Sequence, residues 1–180
     1  MIRIVHILNQ FFAGIGGEEK ADMAVAVAGG AVGAARGLQI QLAERGEVVA
    51  TLYSGDNYFH EHKDDALAAI LAELEKQKPD VVVAGPAFNA GRYGLACVEI
   101  CQVASEKLGL RCVTGMEPEN PGVSVYRDYH NDRIFLLPTA ETASGMARAL
   151  TALASFACRL ANGEEIGPAA DEGYLPRGIR

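Results

Sequence analysis

Short apolar segments alternate with amphipathic segments along this chain, and the alternation predicts its secondary structure. Five runs rich in β-branched and other apolar residues are typical of buried strands, at residues 2–8, 47–53, 80–85, 110–115 and 133–138. Four other segments have the apolar spacing of helices, at residues 33–45, 64–77, 93–108 and 143–162. Strands that alternate with helices predict βαβ units, and therefore an α/β fold with a mainly parallel sheet.

The order of the predicted strands indicates where a site would lie. A doubly wound sheet of five strands usually has the flavodoxin-like order 2-1-3-4-5, and its ligands bind at the carboxyl ends of the first and third strands. We predict one such α/β domain over residues 1–163. Residues 164–180 contain glycine, proline and charged residues without periodicity, and they are predicted to form a C-terminal linker or docking arm.

A glycine-rich loop follows the first predicted strand, at residues 9–20 (NQFFAGIGGEEK). The glycines that would let the backbone approach a ligand are Gly14, Gly16 and Gly17. The loop lacks both the dinucleotide-binding spacing and the lysine of a phosphate-binding loop, and Glu18 and Glu19 would repel a phosphate. It therefore favours a ligand with an amino group or a positive charge; the alternative is a tight turn with two solvated glutamates.

A second glycine-rich loop follows the third predicted strand, at residues 85–94 (GPAFNAGRYG). It contributes Asn89, Arg92 and Tyr93 as candidate binding residues. Arginine is the natural bidentate partner of a carboxylate, and the amino end of the following helix adds N–H donors. The alternative is that Arg92 caps a helix or forms an ion pair on the surface.

Together the two loops predict a site for a small zwitterion. Arg92 and the helix amides would bind the carboxylate, and Glu18 or Glu19 would lie near the amine. A third loop, at residues 116–123, follows the fourth predicted strand and brings Asn120 toward the same edge as a weaker candidate. A plain loop is the simpler explanation for this third segment.

The cysteines and histidines do not predict a metal or catalytic site. Cys97 and Cys101 share one face of a predicted helix, but no histidine or second cysteine pair accompanies them, so we expect structural thiols. Cys112 and Cys158 are expected in the core, and residues 60–62 (HEH) in a solvated turn. No local spacing suggests a nucleophile–base pair.

Composition limits the classes of partner. The net charge of −7 and the absence of a Lys/Arg-rich run argue against nucleic-acid or anionic membrane surfaces. No apolar stretch approaches the roughly 20 residues needed to span a bilayer. The chain begins directly with a strand pattern instead of a signal-peptide core, so we expect a cytoplasmic protein with reduced cysteines.

Five segments of the chain closely resemble the amino-terminal half of selenoprotein B of the glycine, sarcosine and betaine reductases, a family related to D-proline reductase. They are residues 9–21, 55–59, 84–94, 119–123 and 172–180. The resemblance implies reductive cleavage of the bond between the α-carbon and the nitrogen of a small amino acid or its N-methylated form. It also implies an oligomer that contains other reductase components.

The resemblance further implies that the reacting group lies outside this chain. In the family a selenocysteine or cysteine of the carboxyl-terminal half attacks the substrate, and a companion subunit of the glycine-type and proline-type enzymes carries a pyruvoyl group. No local motif around the four cysteines here replaces that nucleophile, and Cys97 is not a substitute because the family also has a cysteine at its position. We therefore expect no catalytic residue, cofactor or metal in this chain, and either a separately encoded half or part of a longer protein.

Two functions remain open at this stage. The chain is either a substrate-binding subunit or half of component B, or a non-catalytic subunit that mediates assembly through its exposed aromatic residues. A homologue that acts on another small substrate would keep the same fold.

Overall fold

A six-stranded sheet forms the centre of the computed structural model, which describes residues 1–178. The strands are β1 (Ile2–Asn9), β2 (Ala26–Gly29), β3 (Gly46–Ser54), β4 (Val81–Ala84), β5 (Arg111–Met116) and β6 (Ile134–Pro138). Their order is β2-β3-β1-β4-β5-β6. The neighbouring strands from β3 to β6 are parallel, so the mainly parallel α/β architecture is confirmed.

The prediction of five strands was wrong, because β2 adds a short antiparallel strand outside β3. Ala26 pairs with Tyr53 and Gly29 pairs with Ala50. The strand has only four residues, which alternate between half-buried and exposed, and three of the four are alanine or glycine, which have weak strand propensity. Such an edge strand is specified by its pairing with β3 more than by its own sequence.

Helices cover both faces of the sheet. The α-helices are α1 (Ala35–Leu42), α2 (Asp56–Glu61), α3 (Lys63–Gln77), α4 (Gly91–Leu108), α5 (Gly122–Tyr129), α6 (Met146–Ala161) and α7 (Ala169–Glu172). Within residues 1–178, none is long and apolar enough to cross a membrane.

Alternate residues of the central strand enter two separate apolar cores. Val5 and Ile7 of β1 pack in one core with side chains of α3, α4 and α5. Ile4 and Leu8 pack in the other core with side chains of α1 and α6. Because successive side chains of a strand point to opposite faces, this division is what a sheet covered on both sides requires.

The segment after α6 lies against the outer edge of β6. The Leu175 N–H donates to the carbonyl oxygen of Leu136 at 2.8 Å. The ring of Tyr174 lies 5.1 Å from that of Phe135, edge to face. These contacts hold Tyr174 and Leu175 of the predicted arm against β6, while Ile179 and Arg180, the end of that arm, lie outside the described residues.

His6 is a fully buried polar residue of β1. Its Nε2 atom lies 2.6 Å from the carbonyl oxygen of Gly85 and must donate, because a carbonyl only accepts. Its Nδ1 atom is buried and has no hydrogen-bond partner among residues 1–178. Burial lowers the pKa of His6 to about 4, so the ring is neutral at pH 7.

We expect the free energy of unfolding to fall as the pH is lowered from 6.5 to about 4, because the unfolded state protonates His6 first. The pKa of His6 in the folded state lies below its value in the unfolded state. The stability associated with the neutral ring is therefore fully present above pH 6.5, and it is lost as the pH falls toward 4. The pKa difference corresponds to about 3 kcal/mol. Urea denaturation across this pH range should show a flatter profile for His6→Gln, and parallel profiles would contradict the assignment.

Candidate functional site

One cavity lies at the carboxyl edge of the sheet, where the loops after β1, β3 and β4 meet. Its volume is about 560 Å³. It is lined by residues 9–12, 17–18, 56, 87–93 and 142–143. Both glycine-rich loops therefore contribute to one cavity, beside the central strand of the sheet.

The first loop is folded onto the end of β1 by hydrogen bonds to the side chain of Asn9 and the backbone of Gln10. The Phe12 N–H donates to Asn9 Oδ1 at 2.8 Å, and backbone N–H groups farther along donate to the carbonyl oxygen of Gln10. Gly14 has a φ of +78° and lies outside the cavity lining, as does Gly16. Of the three glycines predicted to bind, only Gly17 lines the cavity.

An ion pair joins the two glycine-rich loops across the cavity. Arg92 Nη2 lies 2.6 Å from Glu18 Oε1, and Arg92 Nη1 donates to Asn57 Oδ1. The exposed fraction is 40% for the Arg92 side chain and 74% for that of Glu18. The structure thus brings together the two charged residues that the sequence placed in one crevice.

Glu19, the other acidic candidate, does not line the cavity. Its Oε1 atom accepts a hydrogen bond from the Gly17 N–H at 2.9 Å. Hydrogen bonds from backbone N–H groups lower the pKa of Glu19. The side chain stabilises the turn of its own loop in this arrangement.

Asp56 is an acidic lining residue that the sequence did not indicate. It begins α2, directly after β3, and its carboxylate accepts a hydrogen bond from Asn9 Nδ2 at 3.1 Å. Its own N–H donates to Gln10 Oε1 at 3.0 Å. Burial raises the pKa of Asp56, and the charge of Arg92 opposes this shift. Its position after a strand that neighbours β1 is the signal that could have identified it.

The second loop supplies mainly aromatic walls. Tyr93 is buried, and its hydroxyl donates to the carbonyl oxygen of Ile7 at 2.8 Å. Its ring centroid and that of Phe88 each lie 5.9 Å from that of Phe12. Burial raises the pKa of Tyr93 well above its usual range, so the phenol remains protonated. Asn89 also lines the cavity.

Asn120 connects the second and third loops instead of lining the cavity. Its Nδ2 atom donates to the carbonyl oxygens of Phe88 at 2.9 Å and Ala90 at 3.1 Å. Its Oδ1 atom accepts from the Gly122 N–H at 3.0 Å. These three hydrogen bonds are made to backbone groups of the protein. Asn120 therefore positions the second loop.

The remaining candidate chemistry does not converge on the cavity. The four cysteines are buried and free, and burial raises the pKa of the Cys97 thiol well above its usual range. Residues 60–62 are exposed at the junction of α2 and α3. Over residues 1–178, no group of three or more His, Cys, Asp or Glu side chains is arranged to hold a metal ion.

The sequence of this chain matches a known protein family. The family model described as glycine/sarcosine/betaine reductase selenoprotein B (GRDB) matches residues 1–180. No solved structure matches the chain.

Several curated relatives match along almost the whole chain. The glycine reductase complex component B subunit gamma of Peptoclostridium litorale is 48% identical over 179 residues, which are 99% of this chain and 40% of the relative. In Peptoclostridium acidaminophilum, the sarcosine reductase complex component B subunit beta is 44% identical over 99% of this chain. The betaine reductase complex component B subunit beta of the same organism is 42% identical over 100%. Each match covers 40% of the relative, so the chain spans less than half of their length. By sequence, the chain belongs to the glycine/sarcosine/betaine reductase selenoprotein B family.

Proposed function

We propose that this chain supplies the substrate-binding part of component B in a reductase of the glycine, sarcosine or betaine type. The cavity would hold a small amino acid, or its N-methylated form, for reductive cleavage of the C–N bond. The chain would do so within a complex that contains other reductase components. The names of the relatives support this class of complex.

The observation that carries the proposal is a cation and two carboxylates around one small cavity. Arg92 offers a planar donor set that suits a substrate carboxylate, and a carboxylate of the lining, Glu18 or Asp56, offers negative charge to an ammonium group. Asn89 and the amino end of α4 add polar groups beside Arg92. A zwitterion of a few heavy atoms complements both signs of charge.

The reacting selenium or sulfur would come from elsewhere in component B. The cysteines of this chain are buried, and the raised pKa of Cys97 keeps that thiol protonated and weakly nucleophilic. We propose that a selenocysteine- or cysteine-bearing half or subunit, here called the companion chain, closes the cavity. In a glycine-type enzyme the pyruvoyl group would also belong to a partner. This chain alone would then be inactive.

Calorimetry tests the proposed binding role. Glycine, sarcosine, betaine and proline are titrated into the chain alone and into its complex with the companion chain, with uncharged acetamide as the control ligand. We expect saturable binding of at least one zwitterion, and none of acetamide. The absence of zwitterion binding in both samples would overturn the proposal.

One observation favours assembly as a second candidate function. Phe11 lines the cavity, yet it is 60% exposed, and Ile15 of the same loop is 40% exposed. Exposed apolar residues next to polar ones are typical of protein interfaces. If Phe11→Ser prevents co-purification with the companion chain, and no zwitterion binds to the complex, assembly is the better description.

A further inference from the structure

We propose that Asp56 receives the ammonium group of the substrate, and that Glu18 occupies the place of the substrate carboxylate on Arg92 while the cavity is free. This inference rests on the proposed function. It assigns opposite effects to the two carboxylates, although both line the same cavity. Glu18 would compete with the substrate, and Asp56 would bind it.

The charges around the cavity support this division. Glu18, Asp56 and Arg92 are the lining residues that carry a charge when Tyr93 is protonated. Glu18 lies 2.6 Å from Arg92 and compensates its charge. Within residues 1–178, the carboxylate of Asp56 then has no cationic hydrogen-bond partner, since Asn9 supplies a neutral amide. A free cavity in this state is complementary to a cation.

The two carboxylates also differ in how firmly they are held. The Glu18 side chain is 74% exposed. Within residues 1–178, its carboxylate forms an ion pair with Arg92 and has no other hydrogen-bond partner. Rotation into water would therefore release it at little cost, because an exposed ion pair contributes little. Asp56 is fixed on both sides, since Asn9 donates to its carboxylate and Gln10 accepts from its N–H. Such a positioned carboxylate fits a permanent part of a binding site.

Exchange of carboxylates on Arg92 follows from this geometry. When Glu18 rotates out, a substrate carboxylate can take its position on the guanidinium, which remains oriented by Asn57. The ammonium group of the same molecule then faces Asp56. The rings of Phe12 and Phe88 line the cavity nearby, and aromatic faces also attract methylated ammonium groups.

Calorimetry with charged fragments separates the two assignments. Acetate, methylammonium and the zwitterion that binds best are titrated into the complex with the companion chain. For Glu18→Gln we expect affinity for the zwitterion and acetate to rise about two- to fivefold, because an exposed competing ion pair is removed. For Asp56→Asn we expect affinity for the zwitterion and methylammonium to fall about tenfold or more, because an ammonium–carboxylate contact is lost.

The controls distinguish this inference from the proposed function. Glu44→Gln removes an exposed carboxylate outside the cavity and should bind all three ligands like the unaltered chain. The proposed function fails if the unaltered complex binds no zwitterion. The inference alone fails if the zwitterion binds but Asp56→Asn leaves methylammonium affinity unchanged, or if Glu18→Gln weakens zwitterion binding. Equal losses for acetate and methylammonium in Asp56→Asn would indicate general damage to the cavity and would also overturn it.

Discussion

Replacing Arg92 with alanine is expected to lower kcat/KM of a reconstituted component B by roughly 30-fold to 1,000-fold, which corresponds to about 2–4 kcal/mol. The guanidinium is the cationic group that lines the cavity and the one suited to bidentate binding of a carboxylate. Its removal would also take away the ion-pair partner of Glu18 and the positive charge that acts on Asp56. Steady-state kinetics with the zwitterion that binds best measures the effect.

Two further variants make the Arg92 result specific. Arg92→Lys keeps the charge but loses the planar donor set, so its kcat/KM should lie between those of alanine and the unaltered chain. Arg36→Ala removes an exposed arginine that does not line the cavity, and it should have no effect. If Arg92→Ala retains kcat/KM within twofold of the unaltered complex, the carboxylate-binding role is wrong.

Gly94→Ala is expected to lower the free energy of unfolding by about 2–4 kcal/mol, although alanine usually stabilises a helix interior relative to glycine. Gly94 lies in α4, where a Cβ atom would come within 2.2 Å of Asn120 Oδ1. Asn120 would have to move and lose the hydrogen bonds that join the second and third loops. Chemical denaturation measures the change.

A double-mutant cycle tests the stated cause of this loss. Because Asn120→Ala removes the clashing side chain, the loss in the Gly94→Ala/Asn120→Ala variant should be smaller than the sum of the two single losses. Gly29→Ala is the matched control, since a Cβ there has no neighbour within 4 Å. Additive losses, or an unchanged stability of Gly94→Ala, would contradict the account.

Much of the fold could be predicted because the central strands are buried on both faces. Val81–Ala84 is a continuous apolar run, and such runs are visible without coordinates. In contrast, α5 begins at Gly122, directly after Pro121, and contains the β-branched residues Val123 and Val125, so its sequence is typical of a turn or strand. Burial of Val123 and Tyr126 against the core is what favours the helix.

The site could be predicted only where local motifs coincide with strand ends. Glu18 and Arg92 follow β1 and β4, which are neighbours, so a shared crevice could be inferred from the usual strand order of a doubly wound sheet. Asp56 begins α2 without a glycine-rich loop before it, and its proximity to Asn9 depends on the pairing of β1 with β3. Asn120 positions the second loop through three hydrogen bonds, and no sequence pattern predicts them.

The most direct test of the central claim is to map the bound substrate by NMR. The nitrogen-15-labelled chain, in complex with the unlabelled companion chain, is titrated with the zwitterion that binds best. We predict saturable shifts of the amides at residues 10–12, 17–18, 56 and 88–92, around the cavity at the carboxyl edge of the sheet. Shifts confined to a different cavity of about 550 Å³, beside the start of α6 and lined by residues 138–140, 144–145, 147–149 and 152, would contradict the account, as would the absence of saturable shifts.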